Sequence, residues 1–386
     1  MSEIYFDNGA TTKPTEQVVR IMTQVLTEDY GNPSSLHRKG QAAERYVIEA
    51  RKTIADCLHV PETTIYFTSG ATESSNTALL GAAARAGKRR RILAWPGEHP
   101  ATGESLKRLA EEGFEVTYLP VDAHGKAVVE ALEEAVDPDV VLVTCMHVNN
   151  ETGVIQPIDQ IGRIVHKAAP KAMFHVDAVQ SFGKIPIDPV AWEIDLMSTS
   201  AHKIHGPKGI GFLYIARNQY IPSLLRGGGQ EKNFRSGTEN VPGICGFGQA
   251  VREAYEEMNG HAAHMQHLKE LLYREVTQGI DGVTVNGPEI GESAPHILNL
   301  RIEGVRSEVL LHALEDHEIY VSSGSACASN KPEEKSPALS ALGLTATAID
   351  ESLRISFCRY NTEEEVYTFV RTLQQFVPML RRFRRK

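Results

Sequence analysis

The segment Ser198–Gly209 contains a lysine in a setting suited to covalent chemistry. Lys203 directly follows a predicted strand, with Ser200 and His202 close by in the sequence. Because a lysine amine loses its proton readily when it is removed from water, such a residue can form a Schiff base with an aldehyde cofactor. A lone lysine at this position would more often be an exposed loop residue, so the prediction depends on the residues that accompany it.

A carboxylate and an amide follow the strand predicted over residues 173–176. Pyridoxal phosphate, an aldehyde cofactor, needs an anion beside its pyridinium nitrogen so that the ring can accept electrons, and Asp177 can supply that charge. Gln180 can donate a hydrogen bond to the phenolic oxygen of the ring. The alternative for Asp177 is a helix N-cap, which is a common role for aspartate.

Three more predicted strands end in polar residues of the kinds that this cofactor needs. One runs into the hydroxyl-rich turn Thr68–Asn76, where free backbone N–H groups at a helix start attract phosphate, although the spacing fits neither a P-loop nor a dinucleotide-binding motif. The other two are followed by His99, which can stack on a planar ring and move protons, and by Asn150, which can place an amide beside that ring. A capped helix or an exposed histidine would explain each feature alone. Their convergence with Asp177 and Lys203 predicts a pyridoxal phosphate site.

Two residues of the C-terminal third also suit chemistry. Cys327 lies in a polar segment rich in glycine, serine and proline, with nothing apolar to bury it, whereas the other four cysteines lie in apolar or glycine-rich surroundings. An exposed thiol can act as a nucleophile, and the alternative is an incidental surface thiol. Arg354 lies on an otherwise apolar strand, and its planar guanidinium fits a substrate carboxylate. A structural salt bridge is the alternative for Arg354.

The apolar pattern predicts the elements that position these residues. Up to about residue 255, helical periods alternate with short apolar runs, which is typical of a mostly parallel sheet covered on both faces. Ligands of such sheets bind beyond the carboxyl ends of the strands. The seven predicted strands are 65–67, 92–94, 116–119, 140–146, 173–176, 196–198 and 211–215.

After about residue 255 the pattern changes to a long helix, short strands and a closing helix. This predicts a smaller α+β domain beside the α/β domain. We expect a large cofactor-binding domain at residues 15–255, and a small domain formed by residues 1–14 and 256–386 that carries the Cys327 segment.

Composition narrows the class of protein. The 386 residues carry a net charge of −9, so no overall positive field attracts nucleic acid or a membrane. No run approaches the roughly 18 apolar residues of a membrane span, and the first residues do not resemble a secretory signal. Five widely spaced cysteines argue against a disulfide framework or a structural zinc site. We therefore expect a soluble cytoplasmic protein.

The combination of motifs resembles the cysteine desulfurases of the NifS/IscS type, within the class V aminotransferase family of fold-type I pyridoxal-phosphate enzymes. The resemblance covers nearly the whole chain. It is carried by Tyr5–Thr12, Gly31–His37, Thr68–Glu73, Met146–Glu151, His175–Gln180, Ser200–Gly209, Arg235–Asn240 and Ser323–Cys327.

This resemblance implies a role for each candidate residue. Lys203 would carry the cofactor and remove the Cα proton of L-cysteine, and Cys327 would take the sulfur as a persulfide and leave L-alanine. Arg354, helped by Asn32, would bind the substrate carboxylate. The ring of the cofactor would be contacted by His99, Asn150, Asp177 and Gln180. Its phosphate would be bound by Ala71, Thr72, Ser200 and His202 and, in a homodimer, by Thr238 of the partner subunit.

The resemblance also implies a partner that accepts the sulfur, either an Fe–S scaffold or a tRNA-thiolating enzyme. The Cys327 segment looks like the longer, mobile kind found in one group of the family. Residues 330–335 are more charged than the family pattern, and the chain ends soon after Phe376, where some relatives carry a longer tail that docks the scaffold. The identity of the acceptor stays open.

Three other functions remain as alternatives. An aminotransferase or a selenocysteine-type lyase would have the same fold but would not need Cys327. A binding module that docks sulfur acceptors would not need Lys203 or Cys327. Direct tRNA binding through the basic residues 381–386 is opposed by the net charge of −9.

Overall fold

A seven-stranded sheet organises the larger part of this computed structural model, which describes residues 3–323 and 336–382. Its spatial order is β2-β8-β7-β6-β5-β3-β4, and only β8 runs antiparallel to its neighbours in the sheet. The prediction of a large, mostly parallel sheet is confirmed. The strands are β2 Ile65–Thr68, β3 Arg91–Ala94, β4 Glu115–Tyr118, β5 Val140–Met146, β6 Met173–Asp177, β7 Leu196–Ser198 and β8 Gly211–Ile215.

Helices cover both faces of this sheet. Successive residues of a strand point to opposite faces, so Leu142 of β5 contributes to one core and Val143 to the other. The core on the Leu142 side includes α3 (Ala71–Ala84) and α4 (Pro100–Glu111). The other core includes α1 (Glu16–Thr27), α2 (Arg38–Cys57), α5 (Val129–Ala135), α6 (Ile158–Ala168) and α7 (Val241–Glu256).

A second, antiparallel sheet has the order β12-β13-β10-β9. Its strands are β9 Val283–Val285, β10 Ile297–Ile302, β12 Ser322–Ser323 and β13 Ser352–Ser356. A separate parallel pair joins β1 (Ile4–Tyr5) to β11 (Ile319–Tyr320), so the start of the chain lies beside this sheet. The accompanying helices are α8 (Met258–Gly279), α9 (Ser307–Glu315), α10 (Pro337–Ala341), α11 (Ala346–Asp350) and α12 (Glu363–Arg382).

The arrangement of the hydrophobic cores supports a division into two domains. The cores around the seven-stranded sheet use residues between Val18 and Ala254. The core of the second sheet uses Ile4, Phe6 and residues from Met265 onward. We propose that the domain boundary lies at the junction of α7 and α8, with the N-terminal residues belonging to the small domain.

The sequence pattern did not reveal β9 or β12. These strands are three and two residues long, and their side chains are only partly buried, so neither presents a recognisable alternation. Among residues 3–323 and 336–382, no helix combines the length and apolar character that a membrane crossing requires.

Candidate active site

A cavity of about 720 Å³ lies beyond the carboxyl ends of the central strands, and it is closed from the other side by Arg354 and the N-terminal segment. Most of the residues predicted from the sequence line this one cavity. They are Ala71, Thr72, His99, Asn150, Asp177, Gln180, Ser200, His202, Lys203 and Arg354.

Two predicted residues, Asn32 and Thr238, are not part of that lining, and a third cannot be placed. Asn32 is exposed on the loop before α2, and its side-chain oxygen accepts a hydrogen bond from the Ser34 amide at 2.9 Å. Thr238 lines a neighbouring cavity of about 270 Å³, which shares Ser69 with the larger one. Cys327 lies outside the described residues.

The N-terminus of α3 faces the cavity. β2 turns into α3 through Gly70, whose φ of 148° lies in a region that L side chains rarely adopt. No side chain caps this helix start, and Ala71 and Thr72 at its first turn line the cavity. Exposed N–H groups and the helix dipole together make such an end a binding site for an anion.

An acidic side chain in the first turn of α3 is held by an arginine. Glu73 accepts hydrogen bonds from Arg235 at 2.8 and 3.1 Å and from the Ser69 amide at 2.8 Å. Burial alone would raise the pKa of Glu73, but these hydrogen bonds and the charge of Arg235 hold the pKa below its ordinary value. Arg235 therefore compensates a negative charge that would otherwise repel an anion at the helix end.

Asp177 and His99 place a carboxyl group and an imidazole at the inner wall. Asp177 ends β6 almost fully buried, and it accepts one hydrogen bond from the Val179 amide at 3.0 Å. Burial raises the pKa of Asp177, while His99, the Val179 N–H and Lys203 oppose the shift. A positively charged group in the cavity would stabilise this carboxylate, because buried charges require a partner.

The protonation of His99 follows from its position as the N-cap of α4. Its Nδ1 accepts a hydrogen bond from the Ala101 amide at 3.1 Å, so the neutral ring carries its proton on Nε2. Burial lowers the pKa of His99. The charge of Asp177 raises this pKa, whereas the charge of Lys203 lowers it further. His99 is thus a neutral N–H donor at pH 7.

Glu98 is a second carboxyl group near Asp177, and the sequence analysis did not single it out. Its Oε1 accepts from the Met146 amide at 2.7 Å, and its Oε2 is buried without a hydrogen-bond partner among the described residues. Burial and, secondly, the charge of Asp177 raise the pKa of Glu98 to about 8. Glu98 is therefore neutral at pH 7, which leaves Asp177 to hold negative charge.

Lys203 lies on the short turn Ala201–Lys203 after β7 and contacts the N-terminal segment. Its Nζ donates to the backbone oxygens of Gly9 at 2.6 Å and Ala10 at 2.7 Å. The neighbouring His202 is bonded to the Thr11 hydroxyl at 3.2 Å. Burial and then the charge of Lys203 lower the pKa of His202 to about 4, so this imidazole is neutral at pH 7.

Arg354 extends from β13 into the cavity, and both of its terminal nitrogens are held. Nη1 donates to the backbone oxygen of Asn150 at 2.9 Å, and Nη2 donates to Oδ1 of Asp7 at 2.8 Å. Nε is buried without a partner among the described residues. The guanidinium is therefore fixed in direction, and each terminal nitrogen keeps a second N–H.

The sequence analysis assigned no role to Asp7, Gly9 or Ala10, although it included them in a motif. Gly9 and Ala10 act through backbone oxygens, which a side-chain pattern does not reveal. Asp7 precedes the glycine by two residues, and a parallel bridge between Asp7 and Ser356 of β13 brings it to Arg354.

Comparison with known proteins agrees with this geometry. Residues 4–369 match the model of the class V aminotransferase family. The chain is 44% identical over 384 residues to a cysteine desulfurase IscS of Vibrio atlanticus, an alignment that spans 98% of this chain and 93% of the relative. It therefore belongs to the class V aminotransferase family, in the NifS/IscS branch of cysteine desulfurases.

Solved structures place the chain in the same branch. A NifS-like protein superposes with a TM-score of 0.92 at 40% identity, covering 98% of this chain and all of the other. A protein named SspA, solved in complex with cysteine, superposes with a TM-score of 0.79 at 33% identity, covering 94% of this chain and all of the other. The chain is accordingly a pyridoxal-phosphate-dependent enzyme of fold type I.

The cavity residues fit that cofactor. The uncapped start of α3 suits its phosphate, and the buried Asp177 carboxyl suits a ring nitrogen that carries a proton. The Gln180 amide reaches the cavity, and the Lys203 amine lies on its floor. The volume of about 720 Å³ is in the range of small-molecule sites.

Proposed function

We propose that the chain removes sulfur from L-cysteine, releasing L-alanine and leaving a persulfide on Cys327 that is passed to an acceptor. The observation that carries this proposal is the arrangement of Asp177, His99 and Lys203 around one cavity that Arg354 also enters. An amine, an imidazole, a buried carboxyl group and a fixed guanidinium are the groups that chemistry at the Cα of an amino acid requires.

Arg354 binds the carboxylate of the substrate. Its two terminal nitrogens are anchored to Asp7 and Asn150, and the second N–H of each is a donor left for the substrate. A guanidinium held in this way orients a carboxylate as well as attracting it. The Cα–H bond of the substrate is thereby directed toward Lys203.

Lys203 and His99 handle protons. Pyridoxal phosphate, when bound, supplies the electron sink for the pair left when the Cα–H bond breaks. The Lys203 amine accepts that proton, and the carbonyl oxygens of Gly9 and Ala10 hold its Nζ within the cavity. His99 presents Nε2–H as a donor in the cavity lining.

Cys327 acts as the nucleophile toward sulfur. Its thiolate forms an S–S bond with the substrate sulfur, the C–S bond breaks, and the electron pair of that bond stays with the substrate carbon, which is then protonated to alanine. Ser322 lines the cavity and precedes Cys327 by five residues. Because five extended residues span at most roughly 18 Å, the chain permits Cys327 to reach the substrate.

A single-turnover reaction with L-cysteine tests this function. The enzyme loaded with pyridoxal phosphate should yield one alanine and one Cys327 persulfide per active site. Cys327→Ser should keep the visible absorbance of the cofactor and lose persulfide, whereas Lys203→Ala should lose the normal absorbance. A loaded enzyme that makes neither product, or a Cys327→Ser variant that still delivers sulfur, would contradict the proposal.

The second subunit of a homodimer completes the phosphate site in this proposal. Thr238 of the partner subunit would donate to the phosphate, and Asn32 would help Arg354 to bind the substrate carboxylate. In a single chain neither residue lines the large cavity, and exposed apolar side chains lie near both, with Leu36 93% exposed and Leu225 40% exposed. Light scattering should report a dimer, and Thr238→Val should weaken cofactor binding; a monomer with full cofactor affinity would contradict this.

The persulfide is proposed to serve Fe–S cluster assembly or tRNA thiolation in the cytoplasm. The four cysteines among the described residues are free thiols, which agrees with a reducing compartment. Incubating the persulfide form with a purified Fe–S scaffold, or with a tRNA-thiolating enzyme and tRNA, shows which acceptor removes the sulfur. Transfer to neither would exclude both acceptor classes.

A further inference from the structure

Lys184 is a buried lysine that the proposed reaction does not use. It follows β6, is 8% exposed, and its Nζ donates to Oε1 of Gln180 at 3.3 Å. Burial is the largest cause that lowers the pKa of Lys184 to about 7, and the charge of Lys203 is the second. Cys358 raises this pKa, and the charge of Arg354 lowers it. No ion pair of the described residues gives it a carboxylate partner. A lysine is costly to bury in this way, so its position calls for an explanation.

The Gln180 amide has a defined orientation. Its Oε1 accepts from Lys184 and lies 3.3 Å from Nε2 of His296, and its Nε2 donates to the Gly9 oxygen at 2.9 Å. Burial lowers the pKa of His296 well below its ordinary value, so this imidazole is neutral. Rotating the amide by 180° would point its N–H groups at the Lys184 donor and its oxygen at the Gly9 oxygen.

This orientation leaves one hydrogen of the Gln180 amide for the cavity. The amide nitrogen carries two hydrogens, and Gly9 accepts one of them. Gln180 lines the large cavity, where the second hydrogen can serve a ligand. The Gly9 oxygen also accepts from Lys203 at 2.6 Å, so Gln180 and Lys203 share one acceptor.

We propose that Lys184 is a positioning residue of the cofactor site, which keeps the Gln180 amide turned so that its N–H faces the phenolic oxygen of pyridoxal phosphate. The inference rests on the proposed placement of the cofactor against Gln180. A donor at that oxygen withdraws negative charge from it and weakens its hold on a neighbouring proton. Losing the donor therefore raises the pH at which the visible absorbance of the bound cofactor changes.

Other titratable groups, on several helices, strands and loops, surround Lys184 and must be considered in any pH titration of this region. Lys184 lines a small cavity of about 30 Å³ behind Lys203. Besides Lys203 and Arg354, the charged or titratable groups facing this region are His202, His205, His261, His296, Cys358 and Arg359. None of them contacts Gln180 except His296.

The test is a pH titration of the visible spectrum of the loaded enzyme, together with the rate at which the cofactor dissociates. Lys184→Met and Gln180→Leu should each raise the midpoint of this spectral titration by about one pH unit and speed the dissociation of the cofactor. Effects of this size are expected when a hydrogen bond to a charged group is lost. The double variant should shift no further than Gln180→Leu alone, because Lys184 acts through Gln180. Lys184→Arg keeps a donor and should restore most of the original midpoint.

Lys269→Met is the matched control. Lys269 is also fully buried, and burial lowers its pKa to about 7, but its Nζ donates to Ser293 and Ala294 in the small domain. This variant should lose thermal stability without moving the spectral midpoint. If Lys184→Met does not fold, His296→Leu removes the other side chain that lies against Oε1 of Gln180. This variant should also raise the midpoint of the spectral pH titration.

The outcomes separate the inference from the proposed function. An unchanged midpoint in Gln180→Leu would overturn the placement of the cofactor and with it the inference. A shift in Gln180→Leu but none in Lys184→Met would overturn the inference alone. Additive shifts in the double variant, or an equal shift in Lys269→Met, would also overturn it.

Discussion

Nη2 of Arg354 donates to Oδ1 of Asp7 at 2.8 Å, which joins the last strand of the chain to its first residues. The pair is largely shielded from solvent, with side chains 9% and 21% exposed. A charge-assisted hydrogen bond in such a place orients the guanidinium as well as neutralising it. The Asp7 side chain thus decides how Arg354 presents its remaining donors.

Asp7→Ala should therefore raise the KM for L-cysteine by about tenfold with a smaller change in kcat, because a freed Arg354 binds the carboxylate in several orientations. Asp7→Asn keeps an acceptor oxygen and should stay within a few-fold of the parent. Steady-state alanine formation measures both. An unchanged KM in Asp7→Ala would show that Asp7 does not position Arg354.

Glu98 should make the folded protein less stable as the pH rises. Its pKa in the folded state is about 8, against an ordinary value of 4.5, so over that interval the folded protein keeps a proton that the unfolded chain releases. The contribution of Glu98 to the free energy of unfolding should then fall by roughly 2–4 kcal/mol between pH 5 and pH 8.

Glu98→Gln removes this titration while resembling the protonated side chain, so denaturant unfolding should show the variant gaining stability relative to the parent as the pH rises from 5 to 8. Glu112→Gln, on an exposed carboxyl group of α4, is the control and should follow the parent. Parallel pH profiles for the parent and Glu98→Gln would contradict the prediction.

Releasing Glu73 should weaken cofactor binding. Arg235→Met leaves the Glu73 carboxylate uncompensated at the start of α3, where it would repel the phosphate, and the Kd for pyridoxal phosphate should rise about 3- to 10-fold. The measurement is a cofactor titration of the apoprotein. Adding Glu73→Gln to the same chain should recover most of the affinity. Failure to recover it would assign the loss to the displaced Arg235–Asn240 loop instead of to charge.

Gly9→Ala should disturb the floor of the cavity. A Cβ at this position would lie 3.0 Å from Ser356 Oγ and 3.2 Å from Ser356 Cβ, so the backbone oxygen that serves Lys203 and Gln180 must shift. Cofactor affinity should fall by about tenfold, the cost of one weakened hydrogen bond to a charged group.

Gly103→Ala is the matched control for Gly9→Ala. Gly103 lies inside α4 with nothing within 4 Å of the added Cβ. Alanine should stabilise that helix by up to about 1 kcal/mol and leave cofactor affinity unchanged. Equal losses of affinity in the two variants would show that Gly9 has no special role.

Much of the site was predictable because its functional side chains lie just after the carboxyl ends of the strands. Asp177, His99 and Lys203 follow short apolar runs, and a parallel sheet gathers such ends at one edge. The central strands of this sheet are buried on both faces. Their continuous apolar runs therefore also predicted the sheet.

The rest of the site depends on pairings that are distant in sequence or on backbone atoms. Asp7 meets Arg354 across 347 residues, and Gly9 contributes only its carbonyl oxygen. Glu98 stands next to the predicted His99, but its neutral state follows from complete burial beside Asp177, which the residue pattern cannot show. Asn32 and Thr238 do not reach the large cavity within one chain.

The pairing of β1 with β11 and of Asp7 with Arg354 has a consequence for biosynthesis. A ribosome makes the N-terminal segment first, yet its partners emerge only after nearly the whole chain has been translated. The seven-stranded sheet, complete by Ile215, can fold earlier, because domains tend to fold in the order of synthesis. The cofactor residues of the sheet are therefore in place before Arg354 is made, and a chain that ends before β13 lacks the guanidinium proposed to bind L-cysteine.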